Sequence, residues 1–342
     1  MAGTVEPVPG DATIKDVAVR ARVALSSVSR VFSGHPDVSA AMRAKVLRAA
    51  EELAYEPDPV AQALRQGRTT TVGFMLRDIA NPLFADIAKR CEHDLRLAGY
   101  SMIIMSSDGY AEVEASNLSV LRRRRVDGVI ASLVTEREAG TVSALHQLTA
   151  PIVLLDRDVE GLEAGCVLTD HYPGVLDATA ALVTAGHERI AFVTGNVDVR
   201  STRERLRAIR DAHDQASLAL DPDLLCFEAF DTDWGYRSAI DLLSRSTPPT
   251  AILAGGVGPA QGIMRAMQER GLGINRDVVV VALDEWPNFD VLTPEMPSVQ
   301  RDPATMGEVI AAEMLRLLDG GTPSSHLLPT VFKPRGHLRP PS

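Results

Sequence analysis

The sequence predicts an all-α amino-terminal unit of short helices, followed by a larger α/β body made of two doubly wound lobes. Three observations carry this. Apolar residues recur at helical spacing between residues 14 and 53. From residue 72 onward, short apolar runs alternate with amphipathic helical stretches, and the alternation runs through twice. With 342 residues, 45% of them hydrophobic, the chain has core material for more than one domain.

The first helix is expected over Ile14 to Ala21, where apolar residues at 14, 17, 18 and 21 form one stripe behind a potential cap at Thr13. Arg22-Val23-Ala24 breaks it. A second helix, Leu25 to Ser33, directs Val28, Val31 and Phe32 inward and leaves Ser26, Ser27, Ser29 and Arg30 on the other face. Two short helices joined by a three-residue turn form a helix-turn-helix, whose second helix can enter the major groove of DNA. Small serines permit close approach there, and Arg30 can reach a phosphate or a guanine edge. The third helix, Ala40 to Leu53, follows a cap at Ser39 and ends before Tyr55; its Arg43, Lys45 and Arg48 suit phosphate contact.

The residues Thr13-Ile14-Lys15-Asp16-Val17-Ala18, Val28-Ser29-Arg30-Val31, Val38-Ser39 and Lys45-Val46, with Leu53, Tyr55, Pro57, Ala61 and Leu64 in the pattern L-x-Y-x-P-x-x-x-A-x-x-L, resemble the lac and galactose repressor family of bacterial transcription factors. The match covers residues 13–64 almost throughout. It implies DNA contact by Thr13, Ile14, Leu25, Ser26, Ser27, Ser29, Arg30, Ser39, Arg43, Tyr55, Ala61 and Leu64. It also implies that residues 58–66 form a hinge helix on operator DNA, with Leu64 wedged into the minor groove. Nine residues after two prolines make a poor helix unaided, because isolated helices under about 12 residues are marginal in water. Two positions depart from the family. Arg22 stands where glycine is usual in the turn, and Ala24 replaces the usual serine cap; each costs about 1 kcal/mol.

Beyond Thr69-Thr70-Thr71, strands are expected at Val72 to Leu76, Met102 to Ser106, Gly128 to Ala131 and Ile152 to Asp156, with helices near Pro82 to Ala98 and Glu112 to Arg124. A second set follows: strands near Ile190 to Thr194, Leu225 to Phe230, Ala251 to Gly255 and Val278 to Leu283, with helices near Thr202 to Ala219, Trp234 to Ser244 and Ala260 to Arg270. A helix at Pro303 to Leu318 and one strand at Leu327 to Lys333 close the chain. The run Arg122-Arg123-Arg124-Arg125 ends a helix and reads as a solvated, dipole-stabilised cluster.

Two such units resemble the periplasmic-binding-protein-like core of the same family. The resemblance implies a ligand cleft between lobes joined by three crossovers. Residues 1–12 are then a flexible amino terminus, 13–57 the helix-turn-helix domain, 58–70 the hinge helix and linker, and 71–342 the effector-binding and dimerisation core. Within that core the first lobe spans about 71–187 and 302–328, the second about 188–301 and 329–342. Open α/β sheets bind ligands at the carboxyl ends of their strands. Asn81-Pro82-Leu83-Phe84, Leu155-Asp156-Arg157, Thr169-Asp170, Ala185-Gly186-His187, Arg205, Phe230 and Asp284 lie there or match family landmarks. Phe84, Arg157, Asp170, Arg205, Phe230, Asp284 and Arg301 are the expected effector wall, a set suited to a polyhydroxylated ligand. Phe84 and Phe230 also read as core residues, and Asp156 or Asp284 as helix caps. Where the family commonly has Asn-Asp this chain has Gly256-Val257, and Arg301 stands where glutamine is usual. Both changes make the pocket more cationic, which favours a phosphorylated or acidic effector over a neutral sugar; a cleft that no small molecule fills is the remaining alternative.

Composition narrows the classes further. Of 35 basic and 45 acidic side chains, residues 1–70 hold nine and eight, which leaves 26 against 37 for the rest. DNA binding is therefore local and salt-sensitive, and the acidic body repels DNA that it approaches. Cys91, Cys166 and Cys226 are odd in number and lack CxxC spacing, so neither a disulfide framework nor a zinc site is expected. No apolar run approaches 18 residues, and residues 1–12 have no charged or apolar leader pattern, which points to a soluble cytoplasmic protein without membrane contact. Gly256-Val257-Gly258-Pro259-Ala260-Gln261-Gly262 tempts a dinucleotide-site reading. The third glycine is displaced, proline interrupts the turn, and Asp284 is too distant. Nucleophile-elbow and HExxH motifs are missing. A transport binding protein would share the core but not the helix-turn-helix. The expectation is a non-enzymatic DNA-binding regulator without cofactor or metal, whose partners are operator DNA, a small-molecule effector and a second copy of itself.

Overall fold

The structure, a computed structural model, describes residues 12–33, 35–56, 67–284, 291 and 293–340. The chain divides into two compact units, residues 1–70 and 71–342. The sequence-predicted hinge at 58–66, with Ala61 and Leu64, and residues 1–11 lie outside the described residues.

The first unit is a three-helix packing of α1 (Ile14–Ala21), α2 (Leu25–Phe32) and α3 (Ala40–Glu52). The Asp16 carboxylate closes the first turn by accepting the Thr13 amide at 2.8 Å and the Thr13 hydroxyl at 2.6 Å. These two bonds draw Asp16 below its ordinary pKa. Arg22 ends α1 in the left-handed conformation, φ 49° and ψ 51°, and the Val23 amide turns back to the Ala18 carbonyl at 3.1 Å. Only glycine adopts that geometry without steric cost. Arg22→Gly should therefore stabilise this unit by about 0.5–1 kcal/mol in urea unfolding, and a loss of stability would show that the turn is unstrained. Val17, Val28 and Val46 are wholly excluded from solvent at the centre of the three helices, and Phe32 packs on Tyr55 with ring centroids 5.7 Å apart.

The second unit contains two six-stranded sheets. Its elements in order are β1 (Thr71–Leu76), α4 (Pro82–Leu97), β2 (Ser101–Ser106), α5 (Ala111–Arg123), β3 (Gly128–Ala131), α6 (Ala139–His146), β4 (Ile152–Leu155), β5 (Gly165–Asp170), α7 (His171–Ala185), β6 (Ile190–Gly195), α8 (Arg200–Gln215), β7 (Leu225–Glu228), α9 (Thr232–Leu243), β8 (Ala251–Ala254), α10 (Val257–Glu269), β9 (Val279–Ala282), β10 (Ser298–Gln300), α11 (Pro303–Leu318), β11 (Ser325–Pro329) and β12 (Val331–Lys333). The first sheet runs β11-β5-β4-β3-β1-β2 and is parallel throughout. The second runs β12-β10-β9-β8-β6-β7 and is parallel except that β12 is antiparallel to β10. Helices cover both faces, which is why central strands such as Ile152–Leu155 and Ala251–Ala254 read as unbroken apolar runs buried along their whole length.

Three expectations are corrected here. The single strand expected over 327–333 is two strands in different sheets: the chain leaves β11, crosses at Thr330 and enters β12. The apolar pattern runs through that crossing without a break, so periodicity alone does not reveal it. The lobe boundary expected near 187–188 falls instead at Asp170–His171, because α7 packs on the second sheet through Val175, Ala178 and Leu182. Ala185-Gly186-His187 accordingly does not follow a strand; it ends α7, where Gly186 takes φ 104° and the buried His187 ring meets the Thr250 hydroxyl and the Leu338 carbonyl, each at 2.8 Å. Thr330 fastens two crossovers together, donating to the Asp170 carbonyl at 2.7 Å and accepting from the Gly174 amide at 3.2 Å. The glycines of 256–262 serve packing: a Cβ on Gly258 would lie 2.2 Å from the Phe230 carbonyl oxygen, and one on Gly262 would lie 2.1 Å from that of Thr232.

Candidate functional site

Two sites emerge, one in each unit. On α2, Leu25, Ser26 and Arg30 are exposed and Ser27 and Ser29 partly so, while Val28 and Val31 face the core. The face is short, hydroxylated and cationic, as a groove-reading surface requires. Other residues of the expected DNA-contact set are engaged within the unit. Arg43 donates to the Val31 carbonyl at 3.3 Å and so supports the end of α2. Ser39 caps α3 by accepting the Met42 amide at 3.3 Å, and Ala24 gives α2 no side-chain cap. Ile14 and Tyr55 border the helical core. Lys45 and Arg48 are exposed on α3.

The second site lies in the α/β unit at the carboxyl ends of strands from both sheets. Phe84 begins α4, Asp156 and Arg157 follow β4, Arg205 stands in the second turn of α8, Phe230 precedes α9, Asp284 follows β9, and Arg301 leaves β10 for α11. These side chains line one cavity of about 40 Å³. Arg301 spans it. Its Nε and Nη2 meet Asp284 at 2.8 and 2.7 Å, and its Nη1 donates to Asp156 and, at 3.2 Å, to the Thr169 hydroxyl. Asp156 belongs to the first sheet and Asp284 to the second, so one guanidinium joins the two lobes. Burial alone would push Asp156 up, but Arg301 and then His171 outweigh it and hold the carboxyl well below its ordinary range. Asp156 itself takes φ 55° and accepts the Thr169 amide at 2.7 Å. Burial pushes His171 down to about 4, so its ring is neutral at pH 7. Arg205 is only 2% exposed and gives its Nη groups to the Gly255 carbonyl at 2.6 Å, the Leu283 carbonyl at 3.1 Å and Asp284 at 3.3 Å. Arg157 is spent on the Leu133 and Asp156 carbonyls at 2.7 and 2.8 Å.

Of the seven residues expected in the effector wall, the structure brings six together; Asp170 does not line the cavity. Successive residues of a strand point to opposite faces, and here it is Thr169 that turns toward Arg301. Arg301, expected to add free positive charge, is neutralised by two carboxylates. Among the described residues that line this cavity, the arginine without a hydrogen-bonded partner is Arg77, at the end of β1, which sequence reasoning missed. Its guanidinium lies 4.7 Å from the Phe230 ring centroid and donates to no protein group among the described residues. The available signal was a lone arginine directly after the apolar run Thr71–Leu76, at the strand end where α/β sheets take ligands. Among the described residues no group of His, Cys, Asp and Glu has the arrangement of a metal site, the three cysteines are free, and no helix is long and apolar enough to cross a membrane.

A helix-turn-helix unit ahead of a two-lobed α/β core with a polar interlobe cleft defines a DNA-binding transcription regulator. The comparisons with known proteins agree. The profile of bacterial regulatory proteins of the lacI family matches residues 13–58, and that of the periplasmic binding protein-like domain matches residues 179–336. The ribose operon repressor of Haemophilus influenzae is 30% identical over 328 residues, covering 96% of this chain and 98% of its own. Catabolite control protein A of Priestia megaterium is 29% identical over 319 residues, covering 92% and 95%. The crystal structure of the lac repressor dimer bound to operator and the anti-inducer ONPF superposes with a TM-score of 0.81 at 25% identity, covering 96% of this chain and 99% of that one. The chain belongs to the lacI family of bacterial regulatory proteins.

Proposed function

We propose that this protein represses transcription by binding a near-palindromic operator as a homodimer, and that a small molecule in the interlobe cleft sets its operator affinity. The supporting observation is the Asp156–Arg301–Asp284 bridge: the closure of the two lobes depends on what neutralises two carboxylates, one from each sheet. A ligand that competes for those groups changes the closure, and a twofold arrangement of two α2 helices reads two half-sites. The region 58–70 is the proposed relay, with Leu64 as the minor-groove wedge. Effector that closes the cleft and releases the operator makes an inducer; the opposite sign makes a corepressor from the same parts.

Selection of binding sites from random duplex DNA by the full-length protein tests the DNA half of the proposal. A near-palindrome should be enriched, and the absence of any enriched sequence would remove it. The enriched operator then serves a linkage test, because operator and effector must alter each other's affinity by the same factor. Arg30→Ala should weaken that operator by about 1–3 kcal/mol per half-site; a phosphate role lowers the salt slope by about 1 per contact, whereas a base role relaxes preference at one position.

A further inference from the structure

We propose that Arg77 receives the phosphoryl group of a small-molecule effector whose body occupies a second chamber next to the Arg301 bridge. The inference deepens the reading of the interlobe cleft as an effector site and rests on it. That chamber has a volume of about 420 Å³ and shares Arg77 and Phe230 with the inner cavity. Its wall also carries Asp78, Asp108, Glu228 and Asp231, acceptors for the hydroxyls of a polyhydroxylated body, which leaves Arg77 as its one cationic group among the described residues. Drug-sized and sugar-sized ligands occupy sites of about 300–1,000 Å³, so the chamber holds such a body while the inner cavity does not.

Charge decides the chemistry of the end that Arg77 takes. Four arginines, Arg77, Arg157, Arg205 and Arg301, line the inner cavity against two aspartates, and both aspartates are engaged by Arg301. Glu136, behind them, is taken by the Arg200 amide and Arg203. The chamber's own carboxylates accept elsewhere, Asp78 from the Ala80 amide, Asp108 from the Ser106 hydroxyl, Glu228 from Arg237 and Asp231 from the Trp234 amide. Arg77 therefore has no hydrogen-bonded carboxylate among the described residues; burial, followed by the charge of Arg157, pulls it down to about 10 despite Asp78, Asp284 and Asp231. Arg77 is half-buried with the Phe230 ring against it and no carboxylate bonded to it, and an oxyanion offsets the hydration it has lost. Two further buried donors in the same cavity are without partners: the Ser132 hydroxyl, wholly excluded from solvent, and Arg205 Nε. Phe230 covers one face of the Arg77 guanidinium and leaves its edge for paired N–H···O bonds, the geometry in which arginine takes phosphate. Gly195 makes that stack possible, since a Cβ there would lie 2.1 Å from the Phe230 ring.

Calorimetric titration of the full-length protein with inorganic phosphate, at constant ionic strength, tests the assignment. One phosphate should bind per chain, and Arg77→Gln should weaken it by about tenfold or more, the loss expected for a paired charge-assisted contact. Arg77→Lys keeps the charge but not the planar pair of donors, so it should weaken phosphate several-fold; it carries the comparison should Arg77→Gln not fold. Equal phosphate affinity in the wild type and both folded variants, or no uptake by the wild type across the millimolar range, overturns the proposal. Operator affinity is measured in parallel. Phosphate uptake at Arg77 that leaves operator affinity untouched keeps this site and removes the regulatory reading, whereas an operator that responds to neutral sugars but a cleft that takes no phosphate does the reverse.

Discussion

Replacing Arg301 by methionine should cost the α/β core about 3–5 kcal/mol at neutral pH, the penalty for stripping the partner from a buried ion pair. The side chain is 9% exposed and its two carboxylate partners are each 8% exposed, so water cannot replace what is lost. The sign of the pH dependence follows from Asp156. Its folded pKa lies below the ordinary value of 3.8, so its contribution is present above 3.8 and is lost as pH falls through the folded value. The gap between wild type and Arg301→Met in denaturant unfolding should therefore be widest at neutral pH and close in acid. Adding Asp156→Asn to Arg301→Met should recover part of the loss, because one uncompensated charge is removed. Solution scattering should show Arg301→Met with its lobes further apart. A cost below about 1 kcal/mol would mean that the lobes are held by packing and not by this pair.

Glu114→Gln should remove a pH dependence of stability that the wild type shows between weak acid and neutrality. Glu114 on α5 is wholly buried; one carboxyl oxygen accepts the Val134 amide at 2.7 Å and the other has no partner among the described residues. Burial is the largest influence and raises the group from 4.5 to about 7, against the Val134 bond. A raised acid contributes stability that is complete below pH 4.5 and is lost as pH rises through about 7. The loss is about 3 kcal/mol when the shift is converted directly. Thermal unfolding at pH 5 and pH 8 checks it: the wild type should lose stability between the two, and Glu114→Gln should lose distinctly less. Parallel curves would show that Glu114 is ionised in the folded protein throughout.

The helical unit was legible residue by residue because its signals are local. The Thr13 cap, the stripe at 14, 17, 18 and 21, and the turn at 22–24 each follow from neighbours within one or two helical turns. The α/β alternation was legible for the same reason, through short apolar runs. What escaped depends on contacts distant in the chain. Whether Arg301 is a free or a paired cation is decided by Asp156, 145 residues away. That Thr169 rather than Asp170 faces the cleft is a question of strand phase, and a one-residue difference reverses it. Arg77 is free because the carboxylates near it are already occupied, which no local pattern records. Helix α7 escaped because apolar residues lie all round it, Leu176, Ala180, Ala181 and Val183 beside the buried Val175, Ala178 and Leu182, so no single face stands out, and Pro173-Gly174 in its first turn reads as a break.

The order in which the sheets are assembled has a consequence for how the chain is made. Strand β11 completes the first sheet beside β5, and α11 supplies Met306, Ile310, Ala311, Met314 and Leu317 to the same core as Phe74 and Ile87. Both elements are encoded after all of the second sheet except its edge strand β12. During synthesis the first lobe emerges from the ribosome first yet keeps an uncovered apolar face on α4 until the last part of the chain follows, while the second lobe is translated alongside it. Nascent chains that stall before residue 303 should consequently be the ones that recruit chaperones, and a late stop codon should be more damaging than its position in the gene suggests.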